Sequence, residues 1–114
     1  MKETKFSKEI LGKTVEALII DTGAGISCVI AGGDKGHIGA ASVRYPGGED
    51  ISVQFPSHRE GVVADKWADA FSARFGCACV VSCGIHYDGI SKEQIQQILD
   101  SLDDMLEEIL CCVK

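Results

Sequence analysis

The 114-residue chain is 46% hydrophobic and carries a formal net charge of -6, which fits one globular domain and excludes a disordered tail. No apolar run approaches the ~20 residues needed to cross a bilayer, so no membrane association is expected. A basic footprint is also missing, which argues against nucleic acid as a partner.

The first thirteen residues read as a polar, weakly ordered segment, followed by a single domain over residues 14–114. Met1-Lys2-Glu3-Thr4-Lys5 is charged, but no apolar stretch of the secretory kind follows it. A cytoplasmic location is therefore expected.

Val15 to Asp21 alternates and is rich in Leu and Ile, the pattern of a strand. Thr22-Gly23-Ala24-Gly25 forms a turn, and Ile26 to Ala31 returns as the second half of a hairpin. A glycine-rich break precedes a third strand, Ile38 to Tyr45. Pro46-Gly47-Gly48 turns into a short fourth strand, Ile51 to Phe55. Short connections allow these four strands to pair as an antiparallel meander.

The period then changes. Ser57 and Glu60 form an S-x-x-E capping box, and Val63, Trp67, Ala70, Phe71 and Phe75 follow at helical spacing up to Gly76. Cys77 to Ser82 is apolar at nearly every position, which predicts a central strand covered on both faces. A second box, Ser91 with Gln94, opens a helix whose apolar stripe runs from Ile95 to Leu110. That stripe is wide enough to offer a dimer surface. The segment also carries most of the negative charge, the pattern of a solvated helix face. The expected fold class is α+β: a largely antiparallel sheet of about five strands with two long amphipathic helices, in the order β-β-β-β-α-β-α.

Six cysteines invite a disulfide or metal reading. A cytosolic setting disfavours disulfides, and the spacing matches no zinc pattern, so no metal is expected. All three histidines instead lie in short polar clusters at the ends of apolar runs. In Gly33-Asp34-Lys35-Gly36-His37 the backbone either simply turns between strands or offers N–H groups to an anion, with Lys35 as counter-charge. Ser57-His58-Arg59 sits at a predicted helix start, where orphan amides and the Arg59 fork suit phosphate or carboxylate. In the last cluster Asp88 is placed to orient the imidazole of His86. No serine or cysteine stands in a nucleophile motif, and no catalytic residue is assigned. The alternative reading is a small enzyme or metal-binding protein using His37, His58 and His86 with Asp34 or Asp88.

Taken together, Gly32-Gly33-Asp34-Lys35-Gly36-His37-Ile38-Gly39-Ala40, Pro56-Ser57-His58-Arg59-Glu60 and Gly84-Ile85-His86-Tyr87-Asp88 resemble the small D-subunit-type, prenylated-flavin chaperone-like proteins of gallate decarboxylase. The resemblance spans about residues 14–110. Glycine stands at position 36, where the family pattern often has proline. The resemblance implies a proteasome assembly chaperone-like fold, usually a homodimer. It further implies a non-catalytic cofactor-binding or maturation role beside a decarboxylase that uses prenylated FMN. The ligand, on this reading, is prenylated FMN or FMN, and the matched positions are Asp34, Lys35, His37, His58, Arg59 and His86.

Overall fold

A computed structural model describes residues 1–56 and 58–113. Six strands, β1 (Lys2–Ile10), β2 (Lys13–Asp21), β3 (Gly25–Gly33), β4 (Lys35–Arg44), β5 (Ile51–Gln54) and β6 (Ala78–His86), accompany two helices, α1 (Gly61–Phe75) and α2 (Lys92–Cys112). The α+β plan expected from the sequence is present, with one strand more. Residues 2–10, expected to be weakly ordered, pair along their whole length with β2 as the edge strand β1. Their alternation of Lys and Glu with Thr, Phe and Ser is that of an exposed edge, where charge discourages pairing with other chains.

The predicted hairpin forms between β2 and β3. The four-strand meander does not, because the sheet order is β1-β2-β3-β6-β4-β5. Strand β6 inserts between β3 and β4, parallel to the first and antiparallel to the second, so the sheet is mixed. Its apolar, β-branched sequence suits the centre of a sheet, and the exposed, four-residue β5 takes the edge instead.

The double covering expected of Cys77–Ser82 is not found. Cys79, Val81 and Cys83 are buried while Val80 is 42% exposed, so β6 alternates like a half-buried strand. The reason is that both helices share one face. Val63, Trp67 and Phe71 of α1 and Ile98, Leu102, Met105 and Ile109 of α2 join a single core with Val15, Ala17 and Ile19 of β2, Cys28 and Ile30 of β3 and Val81 of β6.

Helix ends differ in how well local signals foretell them. The Ser91–Gln94 capping box forms as predicted, with the Gln94 amide donating to Ser91 Oγ and the Ser91 amide to Gln94 Oε1. Gly76 closes α1 at φ 60°, as a left-handed cap. The other predicted box does not start its helix. Ser57 lies outside the described residues, and α1 begins only at Gly61 with Glu60 as its N-cap and no side-chain cap bond. The carboxylate of Glu60 turns elsewhere.

Arg44, 6% exposed, ties the sheet to α1. Its guanidinium donates to Asp69 Oδ1 (2.7 Å) and Asp65 Oδ1 (3.0 Å), and Asp65 also accepts from the hydroxyls of Ser42 and Ser52, each at 2.6 Å. The neighbouring carboxylates, Asp69 first, raise the Arg44 pKa above its ordinary value. This cluster, which involves none of the histidines, ties α1 to β4 and β5.

Candidate functional site: a histidine cluster beside an apolar cavity

The glycine-rich segment is an arch. Strands β3 and β4 flank β6, so the one residue between them, Asp34, must pass over the end of β6. There the Asp34 amide donates to the His86 carbonyl at 2.7 Å. Gly33 makes the turn at φ 83°, where a Cβ would stand 2.3 Å from that same carbonyl oxygen. Asp34 then braces the other side of the arch, accepting from the Asp88 amide at 2.9 Å and pairing with Lys13 at 3.3 Å. The Asp88 amide, followed by Lys13, holds its carboxyl below the usual range. Asp34 is thus already committed to structure.

Beyond the arch, β4 is irregular between Gly36 and Ala40. That irregularity carries His37 toward the segment before α1. His37 Nε2 lies 3.1 Å from His58 Nδ1 and 3.0 Å from Glu60 Oε1, and Glu60 Oε2 is 3.6 Å from His58 Nδ1. Two small residues make the approach feasible. A Cβ on Gly39 would lie 2.2 Å from Glu60 Oε2, and one on Gly84 would lie 1.6 Å from the His37 carbonyl oxygen. Glu60 and His37 are largely withdrawn from solvent, with side chains 12% and 18% exposed.

His86 stands apart from this trio. It pairs with Asp88 at 2.8 Å, as the sequence suggested, and its ring centre is 6.3 Å from that of His37. All three predicted clusters therefore converge within one chain. Lys35 contributes its backbone carbonyl, 3.4 Å from His37 Nδ1, while its side chain is exposed. Gly36 has no steric need to be glycine, since a Cβ there would make ordinary contacts with Ala31 Cβ at 3.4 Å and the Gly32 nitrogen at 3.6 Å.

Next to the cluster lies a cavity of about 520 Å³ between the start of α1, the end of β6 and the first turns of α2. His58, Arg59, Glu60 and His86 line its polar side, and Ile85, Tyr87, Ile90, Ile95, Ile98 and Leu99 are among its apolar walls. Such a volume, mostly apolar with a few convergent polar groups, is the usual form of a small-molecule site. Tyr87 is fixed in the wall by its hydroxyl, which donates to the Ile10 carbonyl at 2.6 Å. A second concavity, lined by Phe6, Cys111 and Cys112, carries Asp104, Glu107 and Glu108 against Lys8 alone, a charge balance unsuited to an anion.

Two elements of the site escaped the sequence reading. Glu60 looks like half of a capping box, and nothing local distinguishes the two roles. The apolar walls from α2 are indistinguishable in sequence from core positions of the same stripe.

Comparison with solved structures places this arrangement in a class. The chain superposes on a subunit of a chaperone complex for yeast 20S proteasome assembly with a TM-score of 0.57, covering 96% of each chain at 15% identity. That similarity defines a proteasome assembly chaperone-like fold. The family follows from sequence. Residues 9–114 match the prenylated flavin chaperone LpdD-like domain, and the chain belongs to that family. It is also 26% identical over 110 residues to protein LpdD of Lactiplantibacillus plantarum, covering 92% of this chain and 81% of the relative. The resemblance drawn from the three histidine clusters is borne out. No helix among the described residues is long and apolar enough to cross a membrane.

Proposed function

We propose that this protein is a non-catalytic chaperone that holds prenylated FMN, or FMN, in the cavity beside the histidine cluster and serves the maturation of a prenylated-FMN-dependent decarboxylase. Family membership supports the cofactor class, and the observation that carries the site is the pairing of a cavity of about 520 Å³ with an arginine at its rim. A flavin mononucleotide is a planar tricyclic ring, apolar at its dimethylbenzenoid end and polar at its pyrimidinedione end, joined through a hydroxylated chain to a phosphate. Ile95, Ile98 and Leu99 would pack on the rings and exclude water, and Arg59 would take the phosphate with its planar donor fork. His58 would add an N–H donor at the same rim, whereas His86 is engaged with Asp88. When bound, the cofactor supplies carbanion-stabilising chemistry to its enzyme; the residues here are arranged to hold it.

Titration of the protein with FMN and with prenylated FMN, followed by flavin fluorescence anisotropy, tests this reading. Saturable binding that weakens at least tenfold in both Arg59→Ala and Ile95→Glu is expected. Absence of binding by the unaltered protein, or binding by both variants as tight as that of the unaltered protein, would overturn it.

The uncovered sheet face supports self-association into a homodimer. Register places Leu18, Val29, Ser82, Ala41 and Val53 in one row across β2, β3, β6, β4 and β5, and Ile20, Ser27, Val80, Val43 and Ile51 in the next. Val29, Val53 and Ile51 are 38%, 48% and 51% exposed, and charge enters these rows only at β1 through Lys5 and Glu3. A continuous apolar sheet face of this kind packs well on a second copy of itself, sheet to sheet. This replaces α2 as the expected dimer surface, because Ile98, Leu102, Met105, Leu106 and Ile109 are already spent on the core.

A further inference from the structure

A neutral His37 cannot satisfy every contact it makes in the histidine trio with hydrogen bonds; only an imidazolium or a bound cation would. His37 Nε2 faces both Glu60 Oε1 at 3.0 Å and His58 Nδ1 at 3.1 Å, while His37 Nδ1 faces the Lys35 carbonyl at 3.4 Å. A neutral imidazole has one N–H. If it sits on Nδ1 and donates to Lys35, a bare lone pair on Nε2 points at a carboxylate. If it sits on Nε2, a lone pair on Nδ1 points at a carbonyl. The first tautomer is the one that histidine ligands adopt, with the outer nitrogen donating to backbone and the inner one free for a cation.

Donor spacing points the same way. In a tetrahedral zinc site with bonds of about 2.0–2.1 Å, ligand atoms stand about 3.3 Å apart. His37 Nε2 stands 3.1 Å from His58 Nδ1 and 3.0 Å from Glu60 Oε1, and His58 Nδ1 stands 3.6 Å from the other carboxylate oxygen, Oε2. All the donors lie within 4.8 Å of one another, in a pocket made possible by Gly39. We propose that His37, His58 and Glu60 bind one divalent first-row transition-metal ion. Two imidazoles and one carboxylate suit zinc, cobalt or iron(II), and three protein ligands leave a coordination position open. His58 and Glu60 also line the cavity, so an ion held by them would lie at its edge. This set differs from the one read from sequence: Glu60 replaces Asp34 and Asp88, and His86 is engaged with Asp88 at 2.8 Å.

Exposed Cys111 and Cys112 would bind such ions on their own, so the test uses the full chain with both changed to serine. After chelator treatment it is titrated with cobalt(II) chloride alone and read by visible absorption, with zinc as competitor. One equivalent per chain, with visible d–d bands and no thiolate charge-transfer band, is expected. Glu60→Gln, which keeps the shape of the side chain, and His37→Ala should each weaken binding at least a hundredfold, while Glu108→Gln should bind like the parent. Circular dichroism of each variant establishes that it is folded; should His37→Ala not fold, Glu60→Gln decides. No cobalt binding by the parent, or undiminished binding by Glu60→Gln, would overturn the proposal. Because no flavin is present, this outcome is independent of cofactor binding.

Discussion

The backbone amide of Asp34 donates to the carbonyl of His86 at 2.7 Å, so the shortest connection in the molecule closes over the end of its central strand. Lys35 and Gly33 both register with His86, one from each side. That single residue therefore couples the arch, the two strands flanking β6 and the imidazole at the cavity rim. A turn that in sequence separates two neighbours in fact straddles a third strand.

Gly33 is the position where this arch has least latitude. At φ 83° a side chain is strained, and a Cβ would also press on the His86 carbonyl at 2.3 Å and the Tyr87 ring at 2.9 Å. Gly33→Ala should lose about 2 kcal/mol or more, from backbone strain and the forced shift. Gly36→Ala, three residues along the same motif, should be near neutral because its new methyl meets only ordinary contact. Urea unfolding of the two variants side by side reads the difference; equal losses would contradict this account of the arch.

Acid stability should rest in part on Asp65. Burial works against its ionisation, but the hydroxyls of Ser42 and Ser52 and then the guanidinium of Arg44 outweigh that, leaving its pKa lowered. A carboxyl depressed in the folded state stabilises above the unfolded pKa of about 3.9, and that stability disappears as pH falls through the folded value. Asp34 and Glu16 are depressed in the same direction. Stability should therefore drop below about pH 4. Asp65→Asn should lower stability at pH 7 and flatten the acid limb, as measured by thermal melting across pH 2–7. Unchanged pH dependence would show that Asp65 does not carry it.

The elements were legible where periodicity was clean: the β2–β3 hairpin, the Ser91 cap with its long stripe, and the Gly76 stop all appear in the sequence as local signals. Strand order was not, because insertion of β6 between β3 and β4 is a long-range choice that no turn between Gly33 and Lys35 announces. The first strand was missed because an edge strand carrying Lys2, Lys5 and Lys8 lacks the apolar alternation that marks a half-buried one. At the site, the three histidine clusters were visible as polar breaks. Glu60 was hidden by an equally good local explanation, and its carboxylate meets imidazoles brought from β4 and from the segment before α1.

Thiol chemistry should sort the six cysteines by depth. Burial, with smaller contributions from Cys83 and Cys79, pushes the Cys28 thiol far up, and burial first and Glu60 second push Cys83 up to about 12. Cys79 is raised by the same cause, and its Sγ donates to the Ala68 carbonyl at 3.3 Å. Thiolate being the reactive form, these three should stay unmodified in the folded protein. Cys111 and Cys112, both exposed, should react first with a disulfide reagent at pH 8, and Cys77 more slowly. Peptide mapping after a short pulse checks this; early labelling of Cys28 or Cys83 would mean the core opens far more readily than its packing implies.

The sheet face offers the sharpest test of assembly. Val80 lies on the central strand between Ser27 and Val43, with Ile20 and Ile51 beyond them, and its side chain adds nothing to the helical core. Val80→Lys would set a charge in the middle of any sheet-to-sheet contact, where desolvating it costs several kcal/mol. In the isolated chain the same lysine would extend into water, on a residue already 42% exposed. Sedimentation should therefore show a dimer for the unaltered protein and a folded monomer for Val80→Lys, with unchanged far-ultraviolet circular dichroism. Ile95→Lys, on the cavity side of α2 and remote from the open sheet face, should leave the dimer intact. A dimer that survives Val80→Lys but is lost in Ile95→Lys would move the interface to the helical side, next to the cavity, and would make the apolar sheet face a surface for some other partner.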